Sequence, residues 1–245
     1  MNWYLFEMMR TTLKLPFPHH RLLGTTSDGY LYKILEYDVD YAINIDEDAF
    51  VIDNGSILKL LAHCIRENVV SCGIRDGGEI PHRSINPIVM NPFFSIMDVR
   101  TIRGKFSNEK IRHYAPGVSI DYEKFLPKDL PHKYSTERRY EPYESFYLWL
   151  NTNFKTEYLS GDTHEDGITT TLKNHLGEPM LHHTWFSRKF GKDKFHTDRI
   201  KNIFDACDTT GLKFTVFDRM RAAVDFLAVK IAKRRRDLLS LFSKS

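Results

Sequence analysis

The sequence predicts one α/β domain over residues 1–197, followed by a basic helical tail over 198–245. Three observations predict it. Short apolar runs of strand-forming residues (Tyr41–Ile45, Asn68–Ile74, Phe93–Met97) alternate with segments whose apolar residues recur at helical spacing. Over residues 41–74 the order is strand, helix, strand, the β-α-β unit from which open sheets with helix-covered faces are built. Charge is also divided: residues 218–245 hold eight Lys and Arg against three Asp, a net of +5, which leaves −2 for residues 1–217.

Taken in order, Trp3–Leu13 reads as a short helix, ended by prolines at 16 and 18, which lack the donor a helix needs and bias their predecessors away from it. Ser27 is placed to cap a helix over Asp28–Leu35, and Tyr41–Ile45 is the first strand. Asn54 is the expected cap of a helix to Arg66 whose Ile57, Leu60, Leu61 and Cys64 share a face. Residues 75–92, with Gly77, Gly78 and three prolines, read as a long connection, and long connections in compact domains are usually functional. Beyond the strand at Phe93–Met97, a helix is expected over Asp98–Lys105, irregular chain over Ile111–Gly117 and a strand over Val118–Tyr122. Glu144–Asn151 reads as an aromatic helix and Thr156–Leu159 as a strand. Ile168–His175 reads as a helix closed by Gly177, and Met180–Phe186 as the last strand.

Composition narrows the function classes. Hydrophobic residues at 42% and charged residues at 27% suit a packed globular body. Three cysteines, none in a C-x-x-C pair, indicate neither a disulfide framework nor a zinc knuckle and suit a cytoplasmic setting. No apolar run approaches the roughly 20 residues that span a bilayer. Because the net positive charge is confined to the tail, the body is not expected to follow a nucleic-acid backbone.

The strongest chemical signal is Asp46-Glu47-Asp48, which directly follows the strand YAINI and so emerges at a carboxyl strand end, where open α/β folds bind ligands. Closely spaced carboxylates repel unless a divalent cation neutralises them, and hard oxygen donors suit Mg2+ or Mn2+. In HEDG, Glu165 and Asp166 either serve as a base or complement the positive end of a following helix. In HHTW the two histidines alternate across a strand, so one of them faces any site there. Arg188 and Lys189 follow closely. Tyr140, Tyr143, Phe146, Tyr147 and Trp149 are read as core before stacking surface. In the tail, Met220, Val224, Leu227, Ile231, Leu238 and Leu241 make an apolar stripe beside Lys230 and residues 233–236, a form that lies on anionic lipid or packs on protein.

The words DYAINIDEDAFVID, NPFFSIMDV, HEDGITTTL and HHTWFSRKFG, in that order, resemble the GT-A fold nucleotide-diphospho-sugar glycosyltransferases over about residues 21–190. The resemblance implies that Asp46 and Asp48, with His183 as the late ligand, hold Mn2+ or Mg2+ on the donor diphosphate, and that Asp166, backed by Glu165 and Asp162, is the base. It also implies that Asp28 touches the nucleotide and that Arg188 and Lys189 steady the departing diphosphate. Such domains usually begin with a nucleotide-binding strand, whereas only some forty residues precede the D-x-D here, so either the front is shortened or truncated or Trp3–Phe6 supplies that strand in place of a helix. The expected activity is transfer of a sugar from a nucleotide-diphosphate donor to a glycan or lipid-linked hydroxyl in polysaccharide synthesis, at the inner membrane face. The alternatives are a haloacid-dehalogenase-like phosphatase, which Phe50 disfavours where its motif carries Thr or Val, and a non-catalytic membrane-docking protein of GT-A fold.

Overall fold

The Asn2 side chain accepts from the Tyr4 amide at 3.0 Å and so starts the first helix, α1 (Trp3–Thr12). The computed structural model describes residues 2–23, 25–116, 118, 121–137, 141–207 and 210–242, the side chains of 236 and 238–242 excepted. The chain continues through α2 (Gly29–Ile34), β1 (Tyr41–Ile45), β2 (Ala49–Val51), α3 (Asn54–Glu67), β3 (Ser71–Arg75) and β4 (Met90–Asp98). Next come α4 (Val99–Lys105), α5 (Asn108–Arg112), α6 (Glu144–Asn153), β5 (Thr156–Leu159), β6 (Gly161–Thr163), β7 (Thr170–Lys173) and β8 (Pro179–His183). Two helices end it, α7 (Lys194–Cys207) and α8 (Val216–Phe242).

The fold is α/β, with two four-stranded sheets. The first has the order β1-β4-β3-β5 and is mixed: β4 runs antiparallel to both neighbours, while β3 and β5 are parallel. The expected β-α-β unit is present, but β4 is inserted between its two strands. The second sheet, β2-β8-β7-β6, is antiparallel throughout. On one side of the first sheet, Ile57, Leu60 and Cys64 of α3 pack with Cys72, Phe94 and Ile96, in a core that also takes in Leu172 and Leu181 of the second sheet. On the other side, Phe146, Tyr147 and Leu150 of α6 pack with Met90, Met97 and Ile102. Alternation along β4 thus feeds two cores at once.

Several expectations change. The β7 segment is a strand, not the helix read over 168–175. Thr170 and Leu172 are buried while Thr171 and Lys173 are half-buried, a period of two that β-branched residues favour once β6 and β8 flank them. Gly177, at φ +79°, closes the β7–β8 turn rather than a helix. The cap of α3 is Asp53, which accepts from the Gly55 amide at 2.8 Å; Asn54 instead accepts from Lys14 and donates to Thr12, tying α1 to α3. Asp28, not Ser27, precedes α2, and it makes no side-chain cap bond. Residues 118, 121 and 122 form no strand, 119 and 120 lie outside the described residues, and Ser107 caps α5 at the edge of the stretch expected to be irregular.

The domain boundary expected at 197/198 falls inside α7. Beyond it, Ile200, Ile203 and Phe204 join Leu5, Met8 and Phe50 in a third core, with Phe50 and Phe204 ring centroids 5.4 Å apart. A chain ending at residue 197 should therefore lose these contacts and fail to show a cooperative melt, since Phe204 alone is worth about 3–5 kcal/mol on truncation. A chain ending at residue 215 should melt close to the full chain. Thermal denaturation of both checks this, and equal melting of the two would mean α7 is dispensable to the body.

Candidate functional site

The D-x-D lies on the seam between the sheets. The Asp46 amide donates to the Phe93 carbonyl at 2.8 Å, prolonging the β1–β4 ladder by one residue, and the Ala49 amide closes a turn onto the Asp46 carbonyl at 3.1 Å. The chain then enters the second sheet, where Ala49 pairs with His183. The Thr184 amide and hydroxyl both donate to the Asp48 carbonyl, at 2.9 and 3.0 Å. This register delivers His183, from 135 residues downstream, to the two carboxylates. One ligand atom from each of Asp46, Asp48 and His183 lies within 4.8 Å of the others, the one such group among the described residues.

His183 Nε2 stands 3.3 Å from Asp48 Oδ1, and both side chains are 5% exposed. The imidazole stacks on Phe93, with centroids 4.1 Å apart and planes at 16°, and Trp185 packs against it at 4.1 Å. Its Nδ1 is buried without a partner among the described residues. The Asp46 carboxyl is pushed up to about 6, first by desolvation and then by Asp48, with His183 opposing. Asp46 is nonetheless an exposed residue, so its desolvation comes from the packed walls beside it and not from enclosure. Glu47 turns the other way, accepting from the Asn2 amide at 2.7 Å, and burial pushes it up to about 8. The bond from the Asn2 amide holds Glu47 away from its two neighbours across the turn, which makes the acid run a pair plus one.

His182 faces the opposite side of the strand, 2.9 Å from Thr171 Oγ1, and burial followed by His164 lowers it to about 4. Asp166 does not join the cluster directly. It accepts from the Ile168 amide at 3.0 Å, the Thr169 amide at 2.8 Å, the Thr169 hydroxyl at 2.6 Å and Arg199 Nη1 at 2.9 Å. Burial pushes this carboxyl upward, but the donors together outweigh it and hold it down at about 2. Arg199, 6% exposed, also donates to the Thr184 and Trp185 carbonyls. Trp185 and Phe186 both sit at φ +58°, a left-handed conformation costing about 1–2 kcal/mol per residue. Arg199 therefore clamps a strained turn next to His183, with Asp166 as its counter-charge. No sequence pattern marks Arg199, which lies within the expected tail.

Glu165 is exposed and makes no hydrogen bond or ion pair among the described residues. Asp162 pairs with Lys173. Asp28, Arg188 and Lys189 share no hydrogen bond or ion pair with the Asp46–Asp48–His183 group. Arg188 is exposed, and Lys189 lies 3.4 Å from His196 and over the Phe186 ring. Tyr143, Phe146, Tyr147 and Trp149 are core, and Tyr140 lies outside the described residues. Sequence reasoning also left the 76–89 connection half read. Asp76 is fully buried and binds Arg83 in a bidentate pair at 2.5 and 2.7 Å, the Asn91 amide at 2.6 Å and the Tyr143 hydroxyl at 2.7 Å. A Cβ on Gly77 would fall 1.7 Å from the Ile85 carbonyl oxygen, so only glycine allows the loop to close there. The loop so held presents His82 edge-on to Trp185, with centroids 4.6 Å apart, and burial lowers its pKa.

Set against family models, curated proteins and solved structures, the chain matches none.

Proposed function

We propose that this protein is a metal-dependent glycosyltransferase of the GT-A type, which uses a nucleotide-diphosphate sugar and a glycan or lipid-linked hydroxyl. The observation that carries the reading is the meeting of Asp46, Asp48 and His183 at the seam of the two sheets. The donor set fits a cation on two counts. Asp46, whose ionisation burial and Asp48 oppose, gains a partner of opposite charge, and His183 Nε2, 3.3 Å from Asp48 Oδ1, offers a third donor to the same point. Carboxylates admit Mg2+ or Mn2+, and the imidazole tips the set toward Mn2+. When bound, the cation neutralises a diphosphate and eases its departure.

The residues of the chain divide the remaining work. His183 is aimed by Phe93, Trp185 and the Thr184 bonds to Asp48. Asp166 is a positioning residue acting through Arg199, because a carboxyl held at about 2 and engaged by four donors is a poor proton acceptor. The base role passes to Glu165, the exposed acid of the same turn. Glu165→Gln should lower turnover by roughly two to four orders of magnitude, the range of general-base loss, with the melting temperature and Mn2+ affinity unchanged. Unaltered turnover in that variant would remove it from the mechanism.

The direct test is hydrolysis and transfer across a panel of nucleotide sugars with and without Mn2+. Activity that needs Mn2+ and vanishes in Asp48→Asn supports the reading. Hydrolysis of simple phosphate esters without any use of nucleotide sugars would replace it with a phosphatase, and Mn2+ binding with neither activity would leave a non-catalytic protein of this architecture.

A further inference from the structure

Among the described residues, the most exposed apolar surface lies on α8. Val216, Met220, Val224, Leu227 and Ile231 follow one another at spacings of four, four, three and four residues, which places them on one helix face. Each is between 57 and 70% exposed. Phe217 begins a groove of about 500 Å³ between this face and Trp3 of α1, and Met220 and Val224 line its wall, so the stripe continues into an apolar floor. An apolar area this open on a folded body marks a surface used for binding.

Charge identifies the occupant. At 100° per residue, Lys230 and Arg234 fall at one edge of the stripe and Arg235 at the other, while Lys233 falls on the far side of the helix. Lys230, Arg234, Arg235 and Lys233 are all exposed. Two of the three acids of the helix are directed away: Asp225 pairs with Arg21 at 2.6 Å on the body-facing side, and Asp218 accepts from the Thr215 amide at the helix start, while Asp237 is exposed further along on the Lys230 flank. Arg221 covers the Trp3 ring on that same side. The helix is thus docked by its acidic face and offers an apolar stripe bordered by cations. A protein partner would match the stripe alone, whereas an anionic lipid surface matches stripe and border together. No helix among the described residues is long and apolar enough to cross a membrane, so the lipid contact argued for α8 runs along its length and not through a bilayer.

We propose that α8 seats this protein on an anionic lipid surface, the stripe entering the headgroup boundary and Lys230, Arg234 and Arg235 meeting lipid phosphates. The docking is independent of the glycosyltransferase reading. It also has an orientation: Trp3 at the groove is the chain neighbour of Asn2, whose amide binds Glu47 in the D-x-D turn. The bilayer and the carboxylate turn therefore share one end of α1.

Vesicle co-sedimentation of the full chain tests this, comparing neutral phosphatidylcholine with phosphatidylcholine containing about 30% phosphatidylglycerol at about 0.1 M salt. The expected result is pelleting with the anionic vesicles only, lost on raising the salt several-fold. Replacing Lys230, Arg234 and Arg235 together by glutamine should weaken partitioning by about two orders of magnitude. Leu227→Ser with Ile231→Ser should release the protein without changing its melting temperature, because both side chains face solvent. Equal pelleting with both vesicle types, or none with either, would overturn the proposal. So would a concentration-dependent dimer dissolved by the same serine pair in the absence of lipid binding, since a second copy would then cover the stripe.

Discussion

Asp48→Asn is expected to cut Mn2+ affinity by about 100-fold or more while leaving the melting temperature of the metal-free protein close to that of the wild type. Removing an outer hydrogen-bond partner of a metal ligand typically costs 10–100-fold, and here a ligand itself changes. Asparagine keeps the shape of the side chain, and the two bonds from Thr184 go to the backbone carbonyl of residue 48, which the substitution spares. Titration calorimetry with Mn2+ alone reads this without any assumption about the sugar. Binding of wild-type strength in the variant would remove Asp48 from the site. The effect has a pH signature whose sign follows from Asp46. Its folded value, about 6, lies above its ordinary value near 3.8, so with no metal its ionisation opposes folding, and stability falls as pH rises through that window. A cation reverses this because it binds the ionised form. Mn2+ should therefore raise the melting temperature more at pH 7.5 than at pH 5, and binding should release protons near pH 6.

Arg199→Met is expected to destabilise the protein by about 3–5 kcal/mol, the cost of leaving one member of a buried ion pair alone. The loss combines the stranded Asp166 carboxylate with the unmet Thr184 and Trp185 carbonyls beside a strained turn. Asp166→Asn should cost less than this, and the double variant should fall well short of the sum, because both substitutions break the same contact. The sign with pH is opposite to that of Asp46. The folded value of Asp166, about 2, lies below its ordinary 3.8, so its contribution is present above about pH 4 and is lost as pH falls toward 2. Wild type should shed roughly 2 kcal/mol more than Asp166→Asn across that range. Urea denaturation at several pH values checks both statements. An Arg199→Met protein as stable as wild type would mean the turn after His183 holds itself.

These two residues also divide what was legible from what was not. YAINI followed by three acids announces a strand delivering carboxylates, and the structure keeps that strand to the residue. The helix after it and the strand at Thr156–Leu159 were equally plain, because each carries one unmixed period. The run from Thr169 to Leu172 fits helix bounds and strand composition alike. Pairing with β6 and β8 decided it, and a single short segment carries no information about its neighbours. The cap at α3 moved by one residue because Asp53 and Asn54 are chemically matched for the role, and the Lys14 amide and Thr12 carbonyl claimed Asn54. By itself, the sequence determined the local elements and the chemical types available: an acid pair at a strand end, one of two histidines on a late strand, a cationic amphipathic tail. Only the tertiary structure decided that β4 separates β1 from β3, that His183 rather than His182 meets Asp48, and that Arg199 reaches back to Asp166. Each of these depends on contacts between residues far apart in the chain, where many pairings satisfy the same local pattern and the packing of the whole selects one.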